Sequence, residues 1–233
     1  ADYLTQRVGV GADRITQVYN GVDTDVFQPS PTRPQRIDGC PFDPARHWIV
    51  GTVGRMQPVK DQPMLARAFV HALEQAPALR DRLRLVMVGD GPLQAQVMSV
   101  LHSAGMTDLA WLPGERSDVA AIMRGLHAFA LPSLAEGISN TILEAMACAL
   151  PVIATDVGGN ADLVVKGKTG DIIAAADPLA MANRILQWAN EPARAREMGL
   201  AGRRRAEASF SMQAMVQNYQ YVYDMQLQRT RSR

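Results

Sequence analysis

Cysteine is scarce here: 233 residues hold two, Cys40 and Cys148. Cys148 lies in the apolar run Ala145-Met146-Ala147-Cys148-Ala149-Leu150, where a buried free thiol fits better than a disulfide partner. No Cys/His cluster is present, which speaks against a structural metal. The four histidines, His47, His71, His102 and His127, are scattered and suggest no Ser/His or Cys/His catalytic pair. No stretch approaches the roughly 18 apolar residues of a membrane span. The N-terminus lacks the apolar core of a signal peptide. Charge of one sign is also wanting: 24 basic residues stand against 23 acidic, a formal +1, so no global field points to nucleic acid or a membrane. These absences together predict an intracellular, cytoplasmic, soluble chain. The residual basicity sits late, at Arg203, Arg204 and Arg205 and again at Arg229, Arg231 and Arg233. A solvated helix face followed by a tail accounts for it, with peripheral contact to an anionic inner-membrane surface as the alternative.

What is there suffices for one substantial core, since 47% of the residues are hydrophobic. The chain starts without an initiator Met, and residues 1–7 read like the end of a helix already under way. A short strand is expected at 15–19, then a proline-rich, polar linker at 28–44, so residues 1–44 read as part of something longer. From Trp48 short apolar runs alternate with helical segments. Strands are predicted at 48–53, 83–88, 109–112, 128–131, 152–155 and 171–174. Helices are predicted between them at 62–75, 93–104, 118–125, 141–148 and near 161–164. Apolar runs bounded by turn residues suit strands buried on both faces, and their alternation with helices predicts βαβ units. The fold class is therefore α/β, a Rossmann-like three-layer α/β/α domain with a parallel sheet over 45–209. C-terminal helices follow at 178–190, 192–209 and 212–227. The last carries Met212, Met215, Val216, Tyr219, Val222, Tyr223 and Leu227 at helical spacing. That stripe needs a partner surface, either its own domain or another one across which 210–233 would reach.

Ligands of open parallel sheets bind beyond the carboxyl ends of the strands. After the first strand comes Gly54-Arg55-Met56-Gln57-Pro58-Val59-Lys60-Asp61. Its glycine lets a ligand approach the backbone, and Arg55 and Lys60 place two cations at a helix N-terminus, which suits a diphosphate. Two solvated surface groups would read the same way. After 128–131 comes Pro132-Ser133-Leu134-Ala135-Glu136-Gly137-Ile138-Ser139-Asn140, leading into Thr141-Ile142-Leu143-Glu144. Ser139 or Asn140 can cap the helix, whose free N–H groups beside Gly137 offer a second anion cradle. Glu136 and Glu144 can accept hydrogen bonds from the paired hydroxyls of a sugar. The alternative is an exposed Glu136 and a Glu144 that complements the helix dipole.

Other motifs fail on inspection. Gly167-Lys168-Thr169 resembles the end of a P-loop, but the earlier glycine is replaced by Asp162 and a strand, not a helix, follows. Gly9-Val10-Gly11 and Gly89-Asp90-Gly91 lack the third glycine of a dinucleotide fingerprint. Asp23-Thr24-Asp25 follows the turn signal Asn20-Gly21-Val22 and is assigned a turn role rather than a metal.

Several of these segments, in order, resemble one family, glycosyltransferase family four, the group one transferases, in its C-terminal domain. The pieces are Asn20-Gly21-Val22-Asp23, Val53-Gly54-Arg55 with Lys60, Val88 to Pro92, Leu131-Pro132-Ser133, Glu136 to Ala147, Pro151 to Thr155, Gly158-Gly159, Gly167 to Gly170 and Met198 to Arg203. From Gly137-Ile138-Ser139-Asn140 the chain looks most like sugar transferases of exopolysaccharide export (exosortase) systems. The resemblance implies a GT-B architecture, of which this is the C-terminal half, and retaining, metal-independent transfer from a nucleotide sugar. It implies Glu136, Arg55 and Lys60 as catalytic. Arg55 and Lys60 would hold the donor diphosphate and Glu136 the transferred sugar. Glu144, the second carboxylate of Glu-x7-Glu, would hold the ribose. The backbone around Gly54 and from Gly137 through Ile138 and Ser139 to Asn140 would touch phosphate and sugar, and Gly114-Glu115-Arg116 would border the base. No cofactor is implied beyond the donor, with a UDP-sugar the first candidate and a GDP-sugar the second. A glycan or lipid-linked acceptor would bind an N-terminal domain, of which residues 1–44 are the remnant and linker, so this piece alone is expected to bind donor without turnover.

Three positions depart from the family pattern. Asp61 stands where Gly is common and, with Pro63, makes a reasonable helix start. Ala149 stands where Gly is usual, which predicts strain at a helix C-cap. Ser139 replaces a common Gly and is expected to narrow the sugar pocket. A sugar-nucleotide epimerase of GT-B type and a non-catalytic nucleotide-sugar-binding module remain as alternatives.

Overall fold

A computed structural model describes residues 2–31 and 34–231, with side chains for 4–31 and 34–228. Six strands, β1 (Trp48–Val53), β2 (Leu83–Val88), β3 (Ala110–Gly114), β4 (Ala128–Leu131), β5 (Val152–Thr155) and β6 (Gly170–Ile173), form one sheet in the order β3-β2-β1-β4-β5-β6. Every strand pairing is parallel. β1 runs in register with β2 from Trp48↔Leu83 to Val53↔Val88, and meets β4 at Val50↔Ala128 and Gly51↔Phe129.

The strands are buried on both faces, and their side chains alternate between two cores. Val50, Leu83, Leu85, Met87, Ala128, Ala130 and Ile153 point to one. Ile49, Val86, Val88, Phe129, Leu131, Val152 and Ala154 point to the other. The first core is covered by α2 (Gln62–Gln75), α3 (Gln94–Ser103) and α7 (Pro178–Asn190), through residues such as Met64, Leu65, Phe69, Val97, Leu101, Met181 and Trp188. The second is covered by α4 (Val119–Gly125), α5 (Asn140–Ala147) and the short α6 (Asn160–Leu163). The helix α8 (Pro192–Ser209) spans both, with Ala195 and Met198 in the first core and Ala206 in the second. The three-layer α/β/α arrangement follows, and the elements predicted from 48 to 209 lie within one or two residues of those found, while the last helix runs four residues past its predicted end.

Three local expectations change. Residues 15–19 form no strand among the described residues. Tyr19 instead packs edge-on against Phe210, with ring centroids 5.4 Å apart, and only Val22 forms a bridge, to Ser211. The proline-rich stretch 28–44 does more than connect: Ile37 and Phe42 are buried in the second core. The last helix, α9 (Met212–Arg231), does not bury its stripe on its own domain. Met212, Val216, Tyr219, Tyr223 and Leu227 are exposed, and only Met215 and Val222 of the predicted stripe are partly covered. A short helix, α1 (Asp2–Gln6), stands at the start. The side chains of Arg229 and Arg231, and all of Arg233, lie outside the described residues. No described helix is long and apolar enough to cross a membrane.

Candidate functional site

In this strand order the chain leaves β1 toward β2 on one side and β4 toward β5 on the other. The loops after β1 and β4 therefore diverge and leave a crevice at the sheet's carboxyl edge, where doubly wound folds take ligands.

The loop after β1 is tied down from several directions. Met56 N–H donates to the Asp90 carbonyl at 2.8 Å, and Gln62 Nε2 donates to the Arg55 carbonyl at 2.7 Å. Gly89 passes so close that a Cβ on it would lie 2.1 Å from the Gly54 carbonyl oxygen, with φ of 129° besides. Glycine is thus required there for backbone approach, not for a dinucleotide turn. Asp61 caps α2, accepting from Met64 N–H at 3.3 Å, but at φ 40° and ψ 45°. That left-handed conformation is the physical reason a glycine suits this position. Burial pushes the Asp61 carboxyl above its ordinary range, against the pull of Arg67.

Lys60, at the end of this loop, reaches across the crevice to the loop after β4. Its Nζ lies 2.5 Å from Glu136 Oε1. Ser133 Oγ donates to the same oxygen at 2.6 Å. The Glu136 side chain is only 8% exposed, so the predicted exposed alternative is excluded. Leu134 N–H donates to the Val59 carbonyl at 2.8 Å and stitches the two loops together. Buried carboxylates persist only where cations and hydrogen bonds compensate their lost hydration, and here one of each does so.

A cavity of about 380 Å³, lined by neither Lys60 nor Glu136, opens over the ends of β1, β2 and β3. Gly54, Arg55, Gln57, Asp90, Glu115 and Arg116 line it. Arg55 is exposed and makes no side-chain hydrogen bond among the described residues. Arg116 is engaged: Nε and Nη2 donate to the Asp118 carboxylate at 2.8 and 2.7 Å, and the guanidinium lies 5.8 Å from the Trp111 ring centroid. It serves as a fixed wall rather than a free cation. A larger cavity of about 470 Å³ lies at the opposite edge, among Trp48, His127, Leu150 and Pro151. It is mostly apolar and sits at the strands' amino ends, away from Lys60 and Glu136.

Between the two predicted caps of α5, Ser139 is the one used. Its Oγ accepts from Ile142 N–H at 3.4 Å and contacts Thr141 Oγ1 at 3.1 Å, and the residue is buried. The hydroxyl turns into the helix, so the expected narrowing of the sugar pocket by Ser139 is not what its side chain does. Asn140 is exposed and accepts from Asn20 Nδ2 at 2.9 Å. Gly137 is exposed and Ile138 half-buried, packed on the second core. Glu144, one turn into α5, is half-buried, and its carboxyl makes no hydrogen bond or ion pair among the described residues. Burial pushes it up to about 7.

The structure thus joins Lys60 with Glu136, groups Gly54, Arg55, Glu115 and Arg116 around one cavity, and puts Ser139, Asn140 and Glu144 on the first turns of α5. It adds Ser133, Gln57 and Asp90, to which sequence reasoning gave no role. Ser133 carried a signal, since it follows a buried strand and precedes Glu136 by three residues.

A model of the family described as glycosyl transferases group 1 matches residues 47–191. D-inositol 3-phosphate glycosyltransferase of Thermobifida fusca is 33% identical over 210 residues, covering 87% of this chain and 48% of that protein. The lipopolysaccharide core biosynthesis mannosyltransferase LpcC of Rhizobium leguminosarum is 31% identical over 222 residues, covering 93% of this chain and 61% of that protein. Among solved structures, Anabaena Alr3699/HepE in complex with UDP and glucose superposes with a TM-score of 0.76 at 24% identity, covering 94% of this chain and 58% of that one. The chain spans about half the length of the curated relatives it matches. With the family model covering most of the sheet and the crevice at its edge, the chain belongs to the group 1 glycosyl transferases.

Proposed function

We propose that the crevice between the loops after β1 and β4 holds a nucleotide-sugar donor for retaining, metal-independent hexosyl transfer. The observation that carries this reading is the meeting of Lys60 and the buried Glu136 across the topological switch point, with Arg55 on the same loop as Lys60 lining the cavity over the strand ends. Departure of a nucleoside diphosphate builds negative charge on phosphate, and fixed cations with a helix N-terminus stabilise that charge as it develops. Arg55 and Lys60 take the diphosphate and Glu136 the transferred sugar. Amides from Gly137 to Asn140 line the junction between them. The unpartnered carboxylate of Glu144 takes the ribose hydroxyls, and Glu115 with the wall of Arg116 borders the base.

UDP is the first candidate nucleotide, supported by the UDP complex of the structural neighbour, and GDP the second. The mannosyltransferase relative supports a hexose and an acceptor of the polysaccharide kind, in keeping with the resemblance to exopolysaccharide systems. Since the chain spans about half of its relatives, binding of a glycan or lipid-linked acceptor, and turnover itself, are assigned to this domain paired with a second one. This chain by itself binds donor without transferring it. The donor places the reaction in the cytoplasm, and the late arginines allow peripheral contact with the membrane.

Calorimetric titration with UDP, GDP and ADP, repeated on Glu144→Ala and Lys60→Ala, tests the reading. Selective binding of one nucleotide, weakened about tenfold or more in each variant, is expected, since a hydrogen bond to a charged group contributes about 1.5–3 kcal/mol. Binding that neither substitution alters would remove both assigned roles.

A further inference from the structure

The loop that carries Glu136 is held from behind by residues that no ligand in the crevice would touch. Ser133, wholly buried, donates to Glu136 Oε1 at 2.6 Å. Its own carbonyl accepts from Thr155 Oγ1 at 2.6 Å, at the end of β5. The Thr155 carbonyl in turn accepts from Asn160 Nδ2 at 3.0 Å, at the start of α6. Ser133, Thr155 and Asn160 are each 0% exposed. The next turn of the same segment presses on the loop: a Cβ on Gly158 would lie 1.9 Å from the Glu136 carbonyl oxygen, and Gly159 N–H donates to the Gly137 carbonyl at 2.8 Å. Side chain and main chain of Glu136 are therefore both fixed from β5 and the turn after it.

We propose that Ser133 is the positioning residue for Glu136, and that the buried column from Asn160 through Thr155 to Ser133 sets which carboxylate oxygen meets the donor. The donors Lys60 and Ser133 converge on Oε1, and Oε2 accepts no hydrogen bond among the described residues. Oε2 is the oxygen left for a sugar hydroxyl. When a diphosphate draws Lys60 away, Ser133 still holds Oε1, so the carboxylate keeps its orientation at the moment its salt-bridge partner leaves. Preorganised polar groups of this kind cost no reorganisation during reaction.

The inference rests on the donor-site reading above, and two measurements separate their failures. The first needs no ligand: a double-mutant cycle on unfolding with Ser133→Ala and Glu136→Ala. Coupling is expected, with the loss from Ser133→Ala shrinking by about half or more once Glu136 is gone. Additive losses would mean Ser133 acts on the fold alone and overturn the proposal. The second compares the affinity of UDP-glucose with that of UDP, and GDP-mannose with GDP. Ser133→Ala should lower the nucleotide-sugar to nucleotide ratio by about fivefold to tenfold while leaving the bare nucleotide unchanged, the scale of one hydrogen bond to a charged group. A ratio unmoved despite coupling would overturn the orienting role. Failure of the unsubstituted protein to bind any of these ligands would overturn the donor-site reading and the orienting role with it, while the cycle still decides whether Ser133 holds Glu136.

Discussion

Lys60 and Glu136 sit 76 positions apart in sequence, yet Nζ meets Oε1 at 2.5 Å across the gap between the loops after β1 and β4. The cation assigned to the donor phosphate is thus already paired with the carboxylate assigned to the donor sugar. A diphosphate approaching Lys60 has to compete with Glu136 and also faces its negative charge.

Opposite signs follow for the two partners. Lys60→Ala should weaken nucleoside diphosphate binding about tenfold, by removing a charge-assisted hydrogen bond. Glu136→Ala should tighten it, roughly threefold to tenfold, because it frees Lys60 and removes a like charge. Calorimetry on both variants reads the difference. A Glu136→Ala protein that bound the bare nucleotide less well would show that the carboxylate supports the phosphate rather than competing with it.

Glu144 predicts a pH dependence. Burial raises its carboxyl from 4.5 to about 7. Between those values the unfolded chain ionises and the folded one stays protonated, so unfolding releases a proton. The Glu144 contribution to stability is therefore fully present below pH 4.5 and is lost as pH rises toward 7. Ribose hydroxyls donate best to the ionised form, so binding runs the other way. Nucleotide affinity should rise about tenfold between pH 6 and 8, the change in ionised fraction for a group near 7. The phosphate of the ligand titrates too, so the measurement is the difference between the unsubstituted protein and Glu144→Gln. Parallel pH profiles for the two would separate Glu144 from the ribose.

Much of this is legible in the sequence, for reasons that differ from residue to residue. Strands such as Trp48–Val53 and Val152–Thr155 read cleanly because burial on both faces makes them continuous apolar runs, and glycine or proline punctuates their ends. Residues 15–19 have strand composition but form no strand, because pairing is a tertiary fact. The cations of one loop and the carboxylates of another were visible, but their meeting across the switch point depends on strand order. Arg116 is expected from the resemblance to border the base, and its guanidinium is taken by Asp118, two residues on. Ser139 was assigned opposite consequences, a helix cap and a narrowed pocket, and rotamer choice decided for the cap. Ser133 had only its place after a buried strand, three residues before Glu136, as a signal, and the hydrogen bond between them depends on both being buried.

His127 supplies a second titration, at the other edge of the sheet. Its Nδ1 accepts from Ile49 N–H at 3.1 Å, and burial holds its pKa down at about 4 instead of 6.5. Below pH 6.5 the unfolded chain takes up a proton that the fold refuses, so this contribution is present above 6.5 and lost as pH falls toward 4. On the scale of 1.36 kcal/mol per unit it amounts to about 3 kcal/mol. It opposes Glu144 in the same window. His127→Asn, whose Oδ1 can still accept from Ile49, should flatten the acid side of the denaturation profile. Equal slopes with and without the imidazole would mean that water reaches the ring.

Ala149 is where the sequence carries strain that a single substitution can relieve. It follows α5 at φ 57°. Ala149 N–H donates to the Met146 carbonyl and Leu150 N–H to the Ala145 carbonyl, both at 2.9 Å, which is the paired closure of a helix whose next residue is left-handed. Leu150 is buried against the second core, completing the apolar contact that accompanies such an ending. The conformation costs an L-residue about 1–2 kcal/mol, while glycine adopts it freely but loses about 0.5–1 kcal/mol through its looser unfolded state. Ala149→Gly should therefore stabilise the domain by about 0.5–1 kcal/mol, read as a higher denaturant midpoint at unchanged slope. Gly199 packs its Cα against the Ala149 carbonyl oxygen, so close that a Cβ on Gly199 would lie 2.0 Å away. That contact with α8 holds the turn whichever residue occupies 149, and a destabilised Ala149→Gly protein would mean that the alanine methyl, not the backbone, is what the neighbouring cavity wall needs.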